Sequence, residues 1–498
     1  MEAPQGEAAP QGHVSNQDHR NGLFHKSELT KTRSGASEMY ISVKRTFAHE
    51  RFRAAGRGGE AVDFQAFRRG SRLWPGACCS QITHSGLPMP ETSHRPQMQS
   101  AAPAPTPAPI PAPAWLRPGV VVHDPSVIVD RLIVDFAAEL RARGFVTQGF
   151  ARQGAVVIGE SPLSIDLSNG KTFVETPQAA EIHLARAIRD GADLFAVGRF
   201  PGCTDAARAS KLPVGAGAGR GLPLLTTIAG GAIHHWHQFV RHEGSMIAPN
   251  RRALWEWWGA ERLYDDLALG VAEVETRRIV CGPRWLMVEG PHGAGLAYLP
   301  RHPRELLPRL PELSKLSLRA LAALCQSWNP LEAAVGVAAL NAFYNRVDLD
   351  GASGNGVRGF RGAPGPVVVV GAFPGVDSIL PDCAIIETDP RPGEYPVAAM
   401  ESLLPGCGGA IVNSSALINR NLIRILRLAR HRPVALIGPS TPLTPRLHDY
   451  GLAVLGGFVA RDVEGLAQAV RAGAAPKDFS RFGRYIHLSD ETSAPNKR

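Results

Sequence analysis

PVVVVGAF (366–373), CAIIETD (383–389), GGAIVN (408–413) and PVALIG (433–438) are four short apolar runs rich in branched residues. Each is too short for a helix and reads as a strand. Helical segments separate them at about 395–404 and 416–430. A weaker strand, LAVLGG (452–457), and a last helix over 463–472 follow. Continuous apolar strands alternating with helices are buried on both faces, which means a parallel, doubly wound sheet. That unit is expected over 364–475, with 476–498 as a tail.

Upstream, VDLDGASGNGVRGFRGAPG (347–365) reads as a flexible connection. The stretch 316–345 is helical, interrupted near Trp328-Asn329-Pro330. Its second half, LEAAVGVAALNAFYN, is apolar nearly all round and should be buried. RRIVCG, WLMVEG and GLAYLP, within 274–300, predict a small antiparallel sheet. Together these make an α+β unit over 272–346.

Residues 119–268 predict a further α/β unit. VVVHD (120–124), FVTQGF (145–150), AVVIG (155–159), DLFAVG (193–198) and LPLLTTI (222–228) read as strands. A helix follows Pro125 and stops at Gly144, and Asn169-Gly170 marks a hairpin. Further helices are expected at about 177–190, 229–241 and 249–267. Residues 1–100 lack any sustained period and read as disordered. AAPAPTPAPIPAPA (101–114) opens a Pro/Ala linker over 101–118 that should be extended and semi-rigid. Met89 and Met98, before the linker, offer alternative chain starts.

Composition narrows the function. The hydrophobic fraction of 44% and charged fraction of 20% are those of a globular protein. The net charge of +9 is spread thinly, with no basic run or stripe, so no nucleic-acid partner is expected. Seven cysteines include no CxxC pair, which argues against a disulfide framework or zinc ribbon. No apolar run is long enough to span a bilayer and no signal-peptide core is present, so a cytoplasmic location is expected. There is no lysine from 316 to 476, which speaks against a pyridoxal-phosphate enzyme there. Neither a P-loop, GxSxG nor HExxH occurs. The run GAGAGRG (215–221) lacks GxGxxG spacing and reads as a flexible loop.

Ligands of open α/β sheets bind beyond the carboxyl ends of the strands. Gly371-Ala372-Phe373-Pro374-Gly375, then Glu387, Thr388 and Asp389, then Asn413, Ser414, Ser415 and Asn419, then Gly438 to Pro442 occupy those positions. Their hydroxyls and amides either cap helices or cradle an anion. Glu387 and Asp389 either sit solvated or hold a hydroxyl, an amine or a metal. His234, His235, His237 and His242 cluster around Trp236, and His234 and His237, one helical turn apart, could share a metal. Surface histidines are the plainer reading. Trp255, Trp257 and Trp258 read as core.

The runs VVVVGAFPGV, AIIETDPRPGEYP, GGAIVNSSALINRNLIRILRLA and VALIGPSTPLTPRLHDYGLAVLGGFV resemble the heavy-metal-chelation domain family. The 274–345 region resembles that family's partner domain, whose fold is like the enolase N-terminal domain. The resemblance implies a Rossmann-like C-terminal domain and a ligand site between the two domains. Carried over on that pattern are Gly371, Pro374, Glu387, Asn413, Ser415, Asn419, Gly438, Pro439, Ser440, Thr441 and Asn341. Asn413-Ser414-Ser415 stands where family members often have Thr-Gly-Thr. Residues 119–268, through ELRARGF, DLFAVGRF and GLPLLTTI, resemble a nucleoside-triphosphatase-like domain of unknown function associated with molybdenum transport.

Two functions stay open from the residues. One is a binding protein for a metal ion, oxyanion or metallo-cofactor. The other is a transferase or lyase on a small phosphorylated or pterin-like substrate, with Glu387 or Asp389 as base. The strand-end loops are rich in oxygen and poor in His and Cys, which favours an oxyanion or a chelated metal over a bare soft ion. A scaffold role and a homodimer are further expectations left open, and no catalytic residue is assigned.

Overall fold

The computed structural model describes residues 116–124, 129–158, 161–200, 221–240 and 246–490. The expectations for 1–114, for the loop preceding Gly221 and for His242 lie outside these residues.

The first region builds a seven-stranded sheet from β1 (Leu116–His123), β2 (Thr147–Ile158), β3 (Ser161–Asp166), β4 (Thr172–Val174), β5 (Leu194–Val197), β6 (Leu222–Ala229) and β7 (Met246–Ile247). Their order is β4-β3-β2-β5-β6-β1-β7. β2, β5, β6, β1 and β7 are parallel. β3 and β4 add an antiparallel hairpin at the expected turn, where Gly170 takes φ 77°. The two strands expected at 145–150 and 155–159 are one continuous strand, β2. One face is covered by α1 (Asp130–Ala142), the other by α2 (Ala179–Arg189) and α3 (Ile233–Phe239). α4 (Arg251–Trp258) and α5 (Leu263–Leu269) join the α1 side. Trp255 and Trp258 are buried there, edge-on to Phe136 at 5.5 and 6.2 Å, as their spacing predicts.

The second region is the expected antiparallel sheet of β8 (Arg278–Cys281), β9 (Trp285–Glu289) and β10 (Ala294–Tyr298). It is followed by α6 (Leu318–Ala323) and α7 (Pro330–Tyr344). Asn329 caps α7 by accepting the Leu331 N–H at 3.0 Å, and Pro330 takes the first helical position, so the interruption is a helix start. α7 is buried along most of its length. At Gly336 a Cβ would overlap the Cys325 amide nitrogen, so only glycine lets the chain after α6 cross α7 this closely.

The third region forms an eight-stranded sheet from β11 (Ala352–Ser353), β12 (Val367–Val370), β13 (Ala384–Glu387), β14 (Tyr395–Pro396), β15 (Gly409–Asn413), β16 (Val434–Ile437), β17 (Leu452–Ala460) and β18 (Gly483–Ser489). The order is β11-β18-β17-β16-β15-β12-β13-β14. From β14 to β17 all neighbours are parallel. β12 starts the parallel set, β13 and β14 extend it one way, and β15, β16 and β17 extend it the other. This is a doubly wound order whose direction reverses between β12 and β15.

Three expectations need correction. The tail after 475 contains β18, which pairs antiparallel with β17 over seven residues, so the sheet is mixed. The connection 347–365 is not loose: Val357 and Phe360 are fully buried against the outer face of this sheet. The helix expected over 416–430 is two, α8 (Ser415–Ile418) and α9 (Asn421–Leu428), broken where Arg420 takes φ 63°. Its guanidinium lies 4.6 Å from the Tyr264 ring and 4.4 Å from that of Trp328, contacts that offset the backbone cost.

One apolar cluster runs through all three regions, from Ile133 and Trp258 through Val335 and Leu340 to Val412 and Leu436. At the junction lies Asp266, 0% exposed, which accepts hydrogen bonds from Arg143, Arg446 and, at 3.0 Å, the Tyr450 hydroxyl. A buried carboxylate persists when several cationic donors replace its water. Among the described residues no helix is long and apolar enough to cross a membrane.

Candidate functional site

β12 ends at Val370 and the chain must turn at once. Gly371 turns it at φ 84°, and a Cβ there would stand 2.7 Å from the Asn413 Cβ. Glycine is therefore required twice over, by backbone and by space. The turn places the Ala372 N–H 2.5 Å from Glu387 Oε1, while Glu387 Oε2 accepts the Thr388 N–H at 3.2 Å. Asn413, the last residue of β15, donates from Nδ2 to the Ala372 carbonyl at 3.4 Å and accepts the Ser415 N–H on Oδ1 at 3.1 Å. The ends of β12, β13 and β15 are thereby tied into one rim, at the point where the sheet reverses direction. Glu387, Asn413 and Ser415 are half-buried there, and Pro374 and Asp389 are exposed at its border.

The remaining expected residues divide. Gly438, with φ 137°, packs beneath Ser414, whose Oγ a Cβ at 438 would overlap. Pro439 is half-buried beside it. Ser440 and Thr441 are 0% exposed and face inward. The Tyr298 N–H donates to Ser440 Oγ at 3.0 Å, so this hydroxyl fastens β10 to the third region. The Thr441 carbonyl accepts from Asn345 Nδ2 at 2.9 Å. Asn345 also donates to the Phe458 carbonyl and accepts the Leu443 N–H, so its nitrogen and its oxygen are both engaged. Sequence reasoning missed Asn345, whose only signal is its position at the end of α7. Asn341 is fully buried on α7. Its Nδ2 donates to the Leu296 carbonyl at 2.7 Å, and its Oδ1 has no partner among the described residues. Asn419 is exposed and caps α9 through the Asn421 N–H at 3.1 Å. The rim thus gathers Gly371, Glu387, Asn413 and Ser415, while Ser440 and Thr441 serve the joint between regions.

Two surface cavities, of about 520 and 460 Å³, lie elsewhere. The first is lined by Gly351, His448, His487 and Asp490 among others, the second by Arg277, Glu289, His292, Arg346 and Arg461, and no expected ligand residue lines either.

Among the described residues no group of three or more His, Cys, Asp or Glu is placed to hold a metal ion. His234 and His237 are exposed on α3, where the His234 ring stacks 3.9 Å from His235. Burial pushes the Cys281 thiol up to about 11, and also raises Cys325, Cys383 and Cys407. These stay thiols at neutral pH, and a soft metal needs thiolate. Among the described residues direct soft ligation of a bare heavy-metal ion does not fit, whereas the oxygen and amide groups of the rim fit a hard oxyanion or a metal already held by its own ligands.

Fold and rim define an α/β protein with a polar rim at a sheet reversal. Residues 361–489 match the DUF364 family model and residues 264–344 the DUF4213 model, both described as "Putative heavy-metal chelation". A solved DUF364-family protein of unknown function from Desulfitobacterium hafniense is 31% identical, the match covering 46% of this chain and 97% of that one, with a TM-score of 0.42. Another from Pyrococcus horikoshii is 20% identical over 46% of this chain and 98% of that one, with a TM-score of 0.41. On the two family models, residues 264–344 are a DUF4213 domain and residues 361–489 a DUF364 domain. No curated protein matches it.

Proposed function

We propose that the chain is a chelation protein that holds a small metal-containing anion, either a metal oxyanion or an organic metal complex, on the rim formed by Gly371, Glu387, Asn413 and Ser415. The observation that supports this reading most is the rim's preorganisation at the sheet reversal. Backbone N–H groups fix both oxygens of Glu387, and the Asn413 amide is fixed at both ends. Fixed donors and acceptors lose little entropy when a ligand arrives. Glu387 would face the cationic centre of the ligand, and the Ser415 hydroxyl its oxygens.

The test is elemental analysis by mass spectrometry of the purified full chain, grown with Mo, Ni, Co, Fe and Zn. A near-stoichiometric element in the wild type that is lost in Glu387→Gln supports the reading. Protein free of metal under every supplement, or equal content in both proteins, overturns it.

A further inference from the structure

The first region's parallel sheet has its own strand-end edge, outside both stretches that match the family models. Asp130 opens α1, the helix that follows β1. It is 4% exposed, and its Oδ1 has no hydrogen-bond partner among the described residues. Gly198, directly after β5, makes room for this oxygen. A Cβ at 198 would stand 2.9 Å from Oδ1 and 3.1 Å from the Ala151 Cα. The next residue, Arg199, takes φ 68°, and its N–H donates to Thr227 Oγ1 on β6 at 3.1 Å. Its side chain is 57% exposed, and Nε stops 3.9 Å from Asp130 Oδ2, beyond hydrogen-bond reach. Around them stand His123 at the end of β1 and Arg152 on β2. Arg152 pairs with Glu175 at 3.2 Å, and Glu175 also accepts from Ser164 Oγ at 3.0 Å.

These features have a common direction. An unpartnered buried acceptor is costly, and a non-glycine residue in the left-handed region is strained as well. Arg199, Arg152 and His123 favour the ionised form of Asp130 and Glu175 opposes it, yet burial prevails and raises the carboxyl above its ordinary range. Arg199, exposed and loosely held, is available to an anion. Asp130 Oδ1 needs a hydrogen. A ligand that satisfies both is an anion that shares a proton with the carboxylate.

We propose that this edge binds a protonated oxyanion of the hydrogen-phosphate type, free or as a phosphomonoester. The ligand hydroxyl donates to Asp130 Oδ1, and its anionic oxygens accept from the Arg199 guanidinium. Sulfate has the same shape and charge but carries no proton near neutral pH, so Asp130 opposes it.

Isothermal titration calorimetry on the full chain at about pH 6, where a phosphomonoester still keeps its second proton in about half of its molecules, tests this with inorganic phosphate, phenyl phosphate and sulfate. Inorganic phosphate, phenyl phosphate or both should bind at least about tenfold more tightly than sulfate, because a site built around a ligand hydroxyl rejects the analogue without it. Phenyl phosphate alone would identify a monoester as the ligand, and both together the shared group. Asp130→Asn offers an amide donor in place of the carboxylate and should narrow the preference to within about twofold. Arg199→Gln, at an exposed side chain, should weaken all three anions. Sulfate bound as tightly as the phosphates, no binding of either phosphate, or an unchanged preference in Asp130→Asn would overturn the proposal.

Discussion

The parallel strands of the two large sheets end in opposite ways. At the edge of the third region, both Glu387 oxygens hold backbone N–H groups and both ends of the Asn413 amide are engaged. At the edge of the first region, Asp130 keeps an oxygen with no partner among the described residues, beside an arginine in the left-handed region. One edge is complete before a ligand arrives, and the other lacks a hydrogen that a ligand could supply. A change at the completed edge should therefore cost stability and binding together. A change at the incomplete edge should cost binding while relieving the fold.

The largest effect is expected where the two sheets are joined. Asp266→Ala leaves Arg143 and Arg446 without their buried carboxylate and should cost about 3–5 kcal/mol, read from urea unfolding. A loss under about 1 kcal/mol would mean that the junction does not depend on this carboxylate. A smaller loss, about 1–3 kcal/mol, is expected for Gly371→Ala, which strains the turn and pushes on Asn413. Ligand should be lost with it. Retention of ligand at lowered stability would separate the rim's fold from its function.

The smallest effect has the opposite sign. Asp130→Asn should raise stability near neutral pH by about 1 kcal/mol. The native carboxyl of Asp130 titrates above its ordinary value of 3.8. As pH rises between those two values, the unfolded chain gives up its proton first and wild-type stability falls. Above the native value the penalty is complete. The advantage of the variant should thus be full there and vanish at acid pH, as thermal melts across pH would record. A variant less stable than wild type near neutral pH would contradict the account of this edge.

Sequence pattern carried the parts of the fold that burial dictates locally. Four valines in β12 and the all-round apolar α7 can only be interior, and the Asn169-Gly170 turn selects its own hairpin. What escaped depends on distant partners. β18, GRYIHLS, has no strong apolar run and is a strand because β17 supplies its hydrogen bonds. Val357 and Phe360 sit in a glycine-rich stretch that reads as a loop until the sheet they cover is in place. Within the candidate site, Gly371, Glu387, Asn413 and Ser415 were legible because a doubly wound sheet puts strand-end residues at its edge. Ser440 and Thr441 follow the same rule in sequence, yet they turn inward because Tyr298 and Asn345 meet them from the second region. Asp130 reads in sequence as an acidic residue in a helix's first turn, and only the fold leaves its oxygen without a partner among the described residues.

Glu387 and Ser440 both follow strand ends in the sequence, but Glu387 lies on the rim while Ser440 fastens β10 to the third region. The most direct measurement compares the metal content of Glu387→Gln and Ser440→Ala full-length proteins grown side by side with the wild type. Ser440→Ala leaves the Tyr298 N–H without its acceptor and should lose about 1–2 kcal/mol of stability while keeping wild-type metal content. Glu387→Gln should lose the metal. Metal lost from Ser440→Ala and kept by Glu387→Gln would move the site off the rim and into the joint between regions, contradicting the account.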